Sequence, residues 1–197
     1  MNNLIKKMRT RSPRRFEIDP YYYVKQGTDP DKSLLSLCCG IGLELQYLQT
    51  QDITAVDLHQ PYLDGVKERC PQAKTVKSDA LKYTKAQPNN SVDVISIIDG
   101  IEHMDKKSGI KLIKEMKRVC REKILLFTPQ GPGPDGYLKN EPHNAWGIEG
   151  GDHYQTHKSG WTVEDLEKYG FKMILVAHDT SQHGEPYQAI MCQWVKE

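Results

Sequence analysis

Apolar and polar positions change period repeatedly along this 197-residue chain, and each change marks an element. The stretch "SLLSLC" (33–38) is short and apolar, the pattern of a buried strand. "LELQYLQT" reads as a helix, and "ITAV", "KTV" and "SVDVISII" read as further strands. "QPYLDGVKERC" carries helical spacing, with Pro61 in its first turn, where a missing N–H costs nothing. The clearest helix is "MDKKSGIKLIKEMKRVC". Ile110, Ile113, Met116 or Lys117, and Cys120 recur on one side of it, lysines occupy the other, and Asp105 is placed to cap it. "EKILLFTP" is a strand stopped by Pro129. "TVEDLEKYGF" is a short helix that Thr162 caps and Gly170 ends. "KMILVAH" and "YQAIMCQWV" are two closing strands joined by the turn-rich "DTSQHGEP", which predicts an antiparallel pair.

Strands alternating with helices predict an α/β layer architecture around a mostly parallel sheet. No repeat or linker divides the chain. We expect an N-terminal basic arm and short helical segment over 1–30, then one domain over 31–197. Pro129 to Gly160 stands out, with many Gly and Pro and little periodicity. Loops longer than about 12–15 residues are usually functional or disordered. His143, Trp146, His153, Tyr154 and His157 are contact residues, which predicts a lid over 129–160.

Composition narrows the class. The chain is 38% hydrophobic and 27% charged with net charge +1, so it carries no global field for nucleic acid or anionic membrane. No apolar run approaches the ~18 residues that span a bilayer. Five cysteines, two of them adjacent, do not form a disulfide framework, and a reducing, cytoplasmic setting is expected. The first fifteen residues are locally basic, through Lys6, Lys7, Arg9, Arg11, Arg14 and Arg15. They form either a solvated terminus or an arm for an anionic partner.

The candidate chemistry begins at Gly40 and Gly42. Their missing Cβ atoms allow a sharp turn and close ligand approach, and a helix start behind them would add N–H donors. Asp57 ends the second strand, where a carboxylate can accept hydrogen bonds from a ribose diol; the bland role is a helix cap. A dinucleotide fingerprint wants a third glycine, but that position is Leu45, and no phosphate loop of the G-x-x-x-x-G-K-[ST] type occurs. A nucleoside ligand without pyrophosphate fits better.

The ordered run "LLSLCCGIGLELQYL…ITAVDLHQPYL…VKSDALKY…SVDVISIIDGIEHM…KILLFTPQG" resembles the class I S-adenosylmethionine-dependent methyltransferases. The resemblance implies a seven-stranded, mostly parallel Rossmann-like sheet with helices on both faces and an antiparallel last strand. It implies that Cys39, Gly40 and Gly42 line the methionine part of S-adenosylmethionine, that Asp57 holds the ribose, and that Leu58 flanks the adenine. Asp79 with Ala80 would meet the adenine amino group. Asp99 and the segment Glu102 to Met104 would lie near the transfer centre. The chain departs from the family at Ser36, where an acid is usual, and at Cys38, where glycine is usual; the cysteine pair is read as packing.

A hydroxyl or ammonium acceptor must lose a proton, for which His103, His153 and His157 are the candidate bases. His103 has an orienting role as its alternative. His153 and His157 lie four apart, but Gly150, Gly151 and Gly160 oppose a helix and no paired cysteines support zinc, so no metal is expected. The expected acceptor is a small molecule methylated at oxygen or nitrogen. The alternatives are an RNA or protein acceptor reached by the basic arm, and a nicotinamide-dependent oxidoreductase on the same sheet. No asparagine–proline–proline type signature of base methylation is present.

Overall fold

The structure is a computed structural model, and it describes residues 19–131, 147–180 and 186–197, with side chains left aside at 175–180, 186 and 187. Its strands are β1 (Leu34–Leu37), β2 (Ile53–Asp57), β3 (Lys74–Lys77), β4 (Val92–Ile98), β5 (Cys120–Pro129), β6 (Lys172–Thr180) and β7 (Pro186–Val195). They form one sheet in the order β3-β2-β1-β4-β5-β7-β6. Neighbours from β3 to β5 are parallel, and β7 runs antiparallel to both β5 and β6. The expected antiparallel closing pair is therefore present. The strand order reverses between β1 and β4, and ligands of open α/β sheets bind beyond the carboxyl ends of the strands at such a point.

The helices are α1 (Pro20–Gly27), α2 (Gln60–Arg69), α3 (Ala80–Lys85), α4 (Lys106–Val119), α5 (Asp152–Gln155) and α6 (Val163–Glu167). They cover two faces. Leu35, Leu37, Ile95, Ile97, Ile124 and Leu126 point into one core, which Leu112, Ile113 and Met116 of α4 and Leu166 of α6 complete. Leu34, Ala55, Val94, Leu125 and Phe127 point into the other, with Val24 of α1 and Leu63 and Val66 of α2. This is the period-two alternation of strands buried on both sides. Asp105 caps α4 through a 3.0 Å bond from Ser108 N–H, and Thr162 caps α6 in a capping box.

Three expectations shift. The helix predicted over "LELQYLQT" is only a single 3₁₀ turn, Leu45–Tyr47. The Glu44 side chain turns inward to Ser36, and Leu48 is already extended, so the chain returns to β2 before a helix can propagate. The buried stripe of α4 is Leu112, Ile113, Met116 and Val119, whereas Cys120 opens β5. Asp79 starts a helix, α3, that the pattern did not suggest, its side chain accepting from Lys82 N–H at 2.8 Å. The N-terminal arm, His143 and Trp146 lie outside the described residues. Among the described residues no helix is long and apolar enough to cross a membrane.

Candidate active site

The turn after β1 is made by backbone that only small residues adopt readily. Cys38, Gly40 and Gly42 have φ of 52°, 52° and 72°, all in the left-handed region. At Gly42 a Cβ would also come within 3.0 Å of Val66 Cγ2, so this glycine sets how closely the turn sits on α2. With only a 3₁₀ turn behind it, the loop has no helix N-terminus to offer a ligand. At the start of the 3₁₀ turn, Leu45 N–H is already used in an i→i+3 bond to Gly42 O.

Asp57 holds this turn from the end of β2. Its carboxylate accepts 2.9 Å hydrogen bonds from Gly40 N–H and from His59 N–H. It does not cap α2, whose N-cap is His59. Burial raises the Asp57 pKa against the pull of these N–H groups. These backbone bonds leave part of the carboxylate's acceptor capacity open, which suits a diol. Leu58 beside it is 43% exposed, an apolar face open to a stacked heterocycle. Asp79 is exposed and Ala80 buried at the neighbouring end of β3. Cys39 is buried and Cys38 half-buried. Burial drives the Cys38 thiol pKa well up, and the charges of Asp57, Glu102 and Asp79 add to it, so the ends of β2, β4 and β3 all face this cysteine. It is a packing thiol, with low thiolate character.

At the end of β4, Asp99 has φ 48° and its N–H bonds Phe127 O, which swings the next residues outward. Glu102 and His103 follow on a 3₁₀ turn, Ile101–His103. Glu102 is 2% exposed; its Oε2 accepts from the Thr128 hydroxyl at 3.0 Å, and its Oε1 has no hydrogen-bond partner. Burial raises its pKa well above the ordinary value, and Asp99 raises it further.

The far half of the long loop crosses this edge. His59 Nε2 lies 3.0 Å from Glu149 O, and the Tyr62 hydroxyl donates to Gly151 O at 3.3 Å. At the other side Lys158 and Ser159 N–H groups donate to Glu102 O, and His103 Nδ1 lies 3.3 Å from Thr156 O. The segment thus runs from the end of β2 to the end of β4. It carries His157, 8% exposed, to within 5.0 Å of the His103 ring. His153 stands apart, exposed and edge-on to Tyr154. The helical turn α5 ends at Gln155, so His153 and His157 do not share a helix face. Sequence reasoning named His103 and His157 separately and missed that they meet. It placed Glu102 near the transfer centre without giving it a role, and it left out Glu44, His59 and Tyr62, for which the pattern carried no signal.

Residues 34–123 match the family model of a methyltransferase domain. That span is similar to a methyltransferase domain, and the sheet around it has the Rossmann-like fold of class I methyltransferases. Its fold recurs in YcgJ of Bacillus subtilis, at TM-score 0.70 and 12% identity, covering 90% of this chain and 98% of that one. The 1,6-didemethyltoxoflavin N1-methyltransferase of Burkholderia thailandensis, solved with 1,6-didemethyltoxoflavin and S-adenosylhomocysteine, matches at TM-score 0.62 and 14% identity over 90% and 77%. The magnesium protoporphyrin IX methyltransferase of Synechocystis, with bound S-adenosylhomocysteine, matches at 0.61 and 12% over 90% and 80%. A comparison with curated proteins finds no match. The Burkholderia and Synechocystis neighbours both hold S-adenosylhomocysteine, and in this chain the diol-ready Asp57 and the open Leu58 fit a nucleoside.

Proposed function

We propose that the enzyme methylates a small molecule at oxygen or nitrogen, in the space between the glycine turn and the segment 147–160. The single observation that carries this is the meeting of His103 and His157 beside Glu102 at the end of β4, under a segment that also reaches the end of β2. In this reading Cys39, Gly40 and Gly42 cradle the methionine part of the cofactor, Asp57 the ribose, and Leu58, Asp79 and Ala80 the adenine. Asp99 lies between cofactor and acceptor. S-adenosylmethionine supplies an activated methyl group on a sulfonium. The chain aligns the acceptor behind it, excludes water, and removes the acceptor proton at the His103–His157 pair. His153 is left with a rim contact. Two structural neighbours named for small-molecule acceptors support the substrate class. Five free thiols suit a reducing cytoplasm. The RNA or protein alternative rests on the arm within 1–18, outside the described residues.

The test is turnover over a panel of hydroxyl- and amine-bearing metabolites, read as the mass gain of one methyl group with stoichiometric S-adenosylhomocysteine. Turnover confined to an RNA or protein fraction would overturn the small-molecule reading.

A further inference from the structure

We propose that Glu102, His103 and His157 bind one divalent transition-metal ion. One ligand atom from each, a carboxylate oxygen and two imidazole nitrogens, lies within 4.8 Å of the others. Ligands about 2.1 Å from a common ion are at most about 4.2 Å apart, so closing the site asks for shifts below about 1 Å. Side-chain torsions alone can supply that.

A second observation points to a ligand independently. Glu102 Oε1 is buried and has no hydrogen-bond partner, while Oε2 is held by Thr128. Among the described residues no lysine or arginine side chain pairs with this carboxylate. A buried carboxylate so placed must either stay protonated or find a cation. Asp99 presses a further negative charge on it. The backbone carbonyl of Glu102 accepts from Lys158 and Ser159, and His103 Nδ1 faces Thr156 O, so the segment carrying His157 is tied to the turn carrying the other two. That is the outer-sphere support that orients metal ligands.

The donor set chooses the ion. Two imidazoles and one carboxylate suit zinc, iron(II), cobalt(II) or manganese(II), and three protein ligands leave positions open. His103 is only half-buried, which gives the open side a way out. The use of the ion rests on the small-molecule reading above: it would hold an acceptor hydroxyl and make it acidic. The O–H bond breaks, its electron pair stays on oxygen, and the proton passes to bulk water; nothing is oxidised or reduced. The imidazoles then serve as ligands in place of bases.

The full chain, stripped with a chelator and dialysed, is titrated with Mn²⁺, Co²⁺ and Zn²⁺ by calorimetry, with visible absorption of the Co²⁺ form. We expect one ion per chain, and affinity at least about tenfold weaker in Glu102→Gln and in His157→Gln. S-adenosylhomocysteine affinity, measured on the same samples, reports folding. If the Glu102 variant does not fold, His103→Gln takes its place. Absence of saturable binding of all three ions, or binding untouched by the variants, overturns the site. Metal bound as expected with no small-molecule turnover sinks the proposed acceptor class and leaves the site standing. Turnover that persists after chelation, with no ion bound, does the reverse.

Discussion

The Ser36 hydroxyl donates a 2.6 Å hydrogen bond to Glu44, a carboxylate only 5% exposed. The strand position where an acid is usual holds a serine, and the carboxylate arrives from the turn instead. Burial raises the Glu44 pKa. The folded state therefore holds this proton more tightly than the unfolded chain, and the stability it contributes is lost as pH rises above the ordinary 4.5. Glu44→Gln should be at least as stable as the parent at pH 7, with the difference vanishing by pH 4.5. Glu44→Ala should cost about 2 kcal/mol, because it leaves the serine hydroxyl buried and unpaired. Urea melts across pH check both; a Gln variant much weaker at pH 7 would refute the burial account.

Asp57→Ala should weaken S-adenosylmethionine binding by about 2 kcal/mol or more. The variant loses the carboxylate proposed for the ribose and frees Gly40 N–H, the bond that fixes the turn. Calorimetry decides; full affinity in a folded variant removes Asp57 from the site.

Cys38→Gly should be tolerated. The residue sits at φ 52°, where glycine carries no Cβ penalty, and a relief of about 1 kcal/mol offsets the loss of its packing on Gly100. We expect a Tm within a few degrees and cofactor affinity within about threefold. In the parent, burial and nearby carboxylates hold the thiol protonated, so alkylation by iodoacetamide at pH 7.5 should be slow. Rapid labelling of Cys38 would contradict its packing role.

Replacing 147–158 with a few glycines removes His157 and the bridge from Tyr62 to Glu102. S-adenosylhomocysteine affinity should stay within about tenfold, 1.4 kcal/mol. Methyl transfer should fall by about a hundredfold or more, since the acceptor loses both enclosure and orientation. Undiminished turnover would mean that this segment is no lid.

Asp93 tests the far end of the sheet. Burial opposes its ionisation, but the Arg121 guanidinium at 2.6 Å and the Ser33 N–H and hydroxyl outweigh that and hold its pKa at about 2. Its unfolded value is 3.8, so its contribution is present above that pH and is lost as pH falls through about 2. Asp93→Asn should cost about 1 kcal/mol at pH 7, and the gap to the parent should close between about pH 5 and pH 2. A gap that persists at pH 2 would assign the loss to packing.

The sequence by itself determined the strands, because their burial on both faces leaves unbroken apolar runs such as Leu34–Leu37 and Val92–Ile98. It also determined the caps at Asp105 and Thr162, which are local chemistry. It placed Gly40, Gly42 and Asp57 at one edge, since a parallel sheet brings successive strand ends together. Only the tertiary structure decided what those ends hold. The helix expected after Gly42 collapsed to one turn because Glu44 found Ser36 across the turn, a pairing that periodicity does not encode. His157 joined Glu102 and His103 because the segment 147–160 is anchored at both β2 and β4, whereas the sequence only set it four residues from His153 and gave it no partner. Periodicity reports which side of an element is buried; contacts between loops depend on how the sheet order folds the chain back over its own edge.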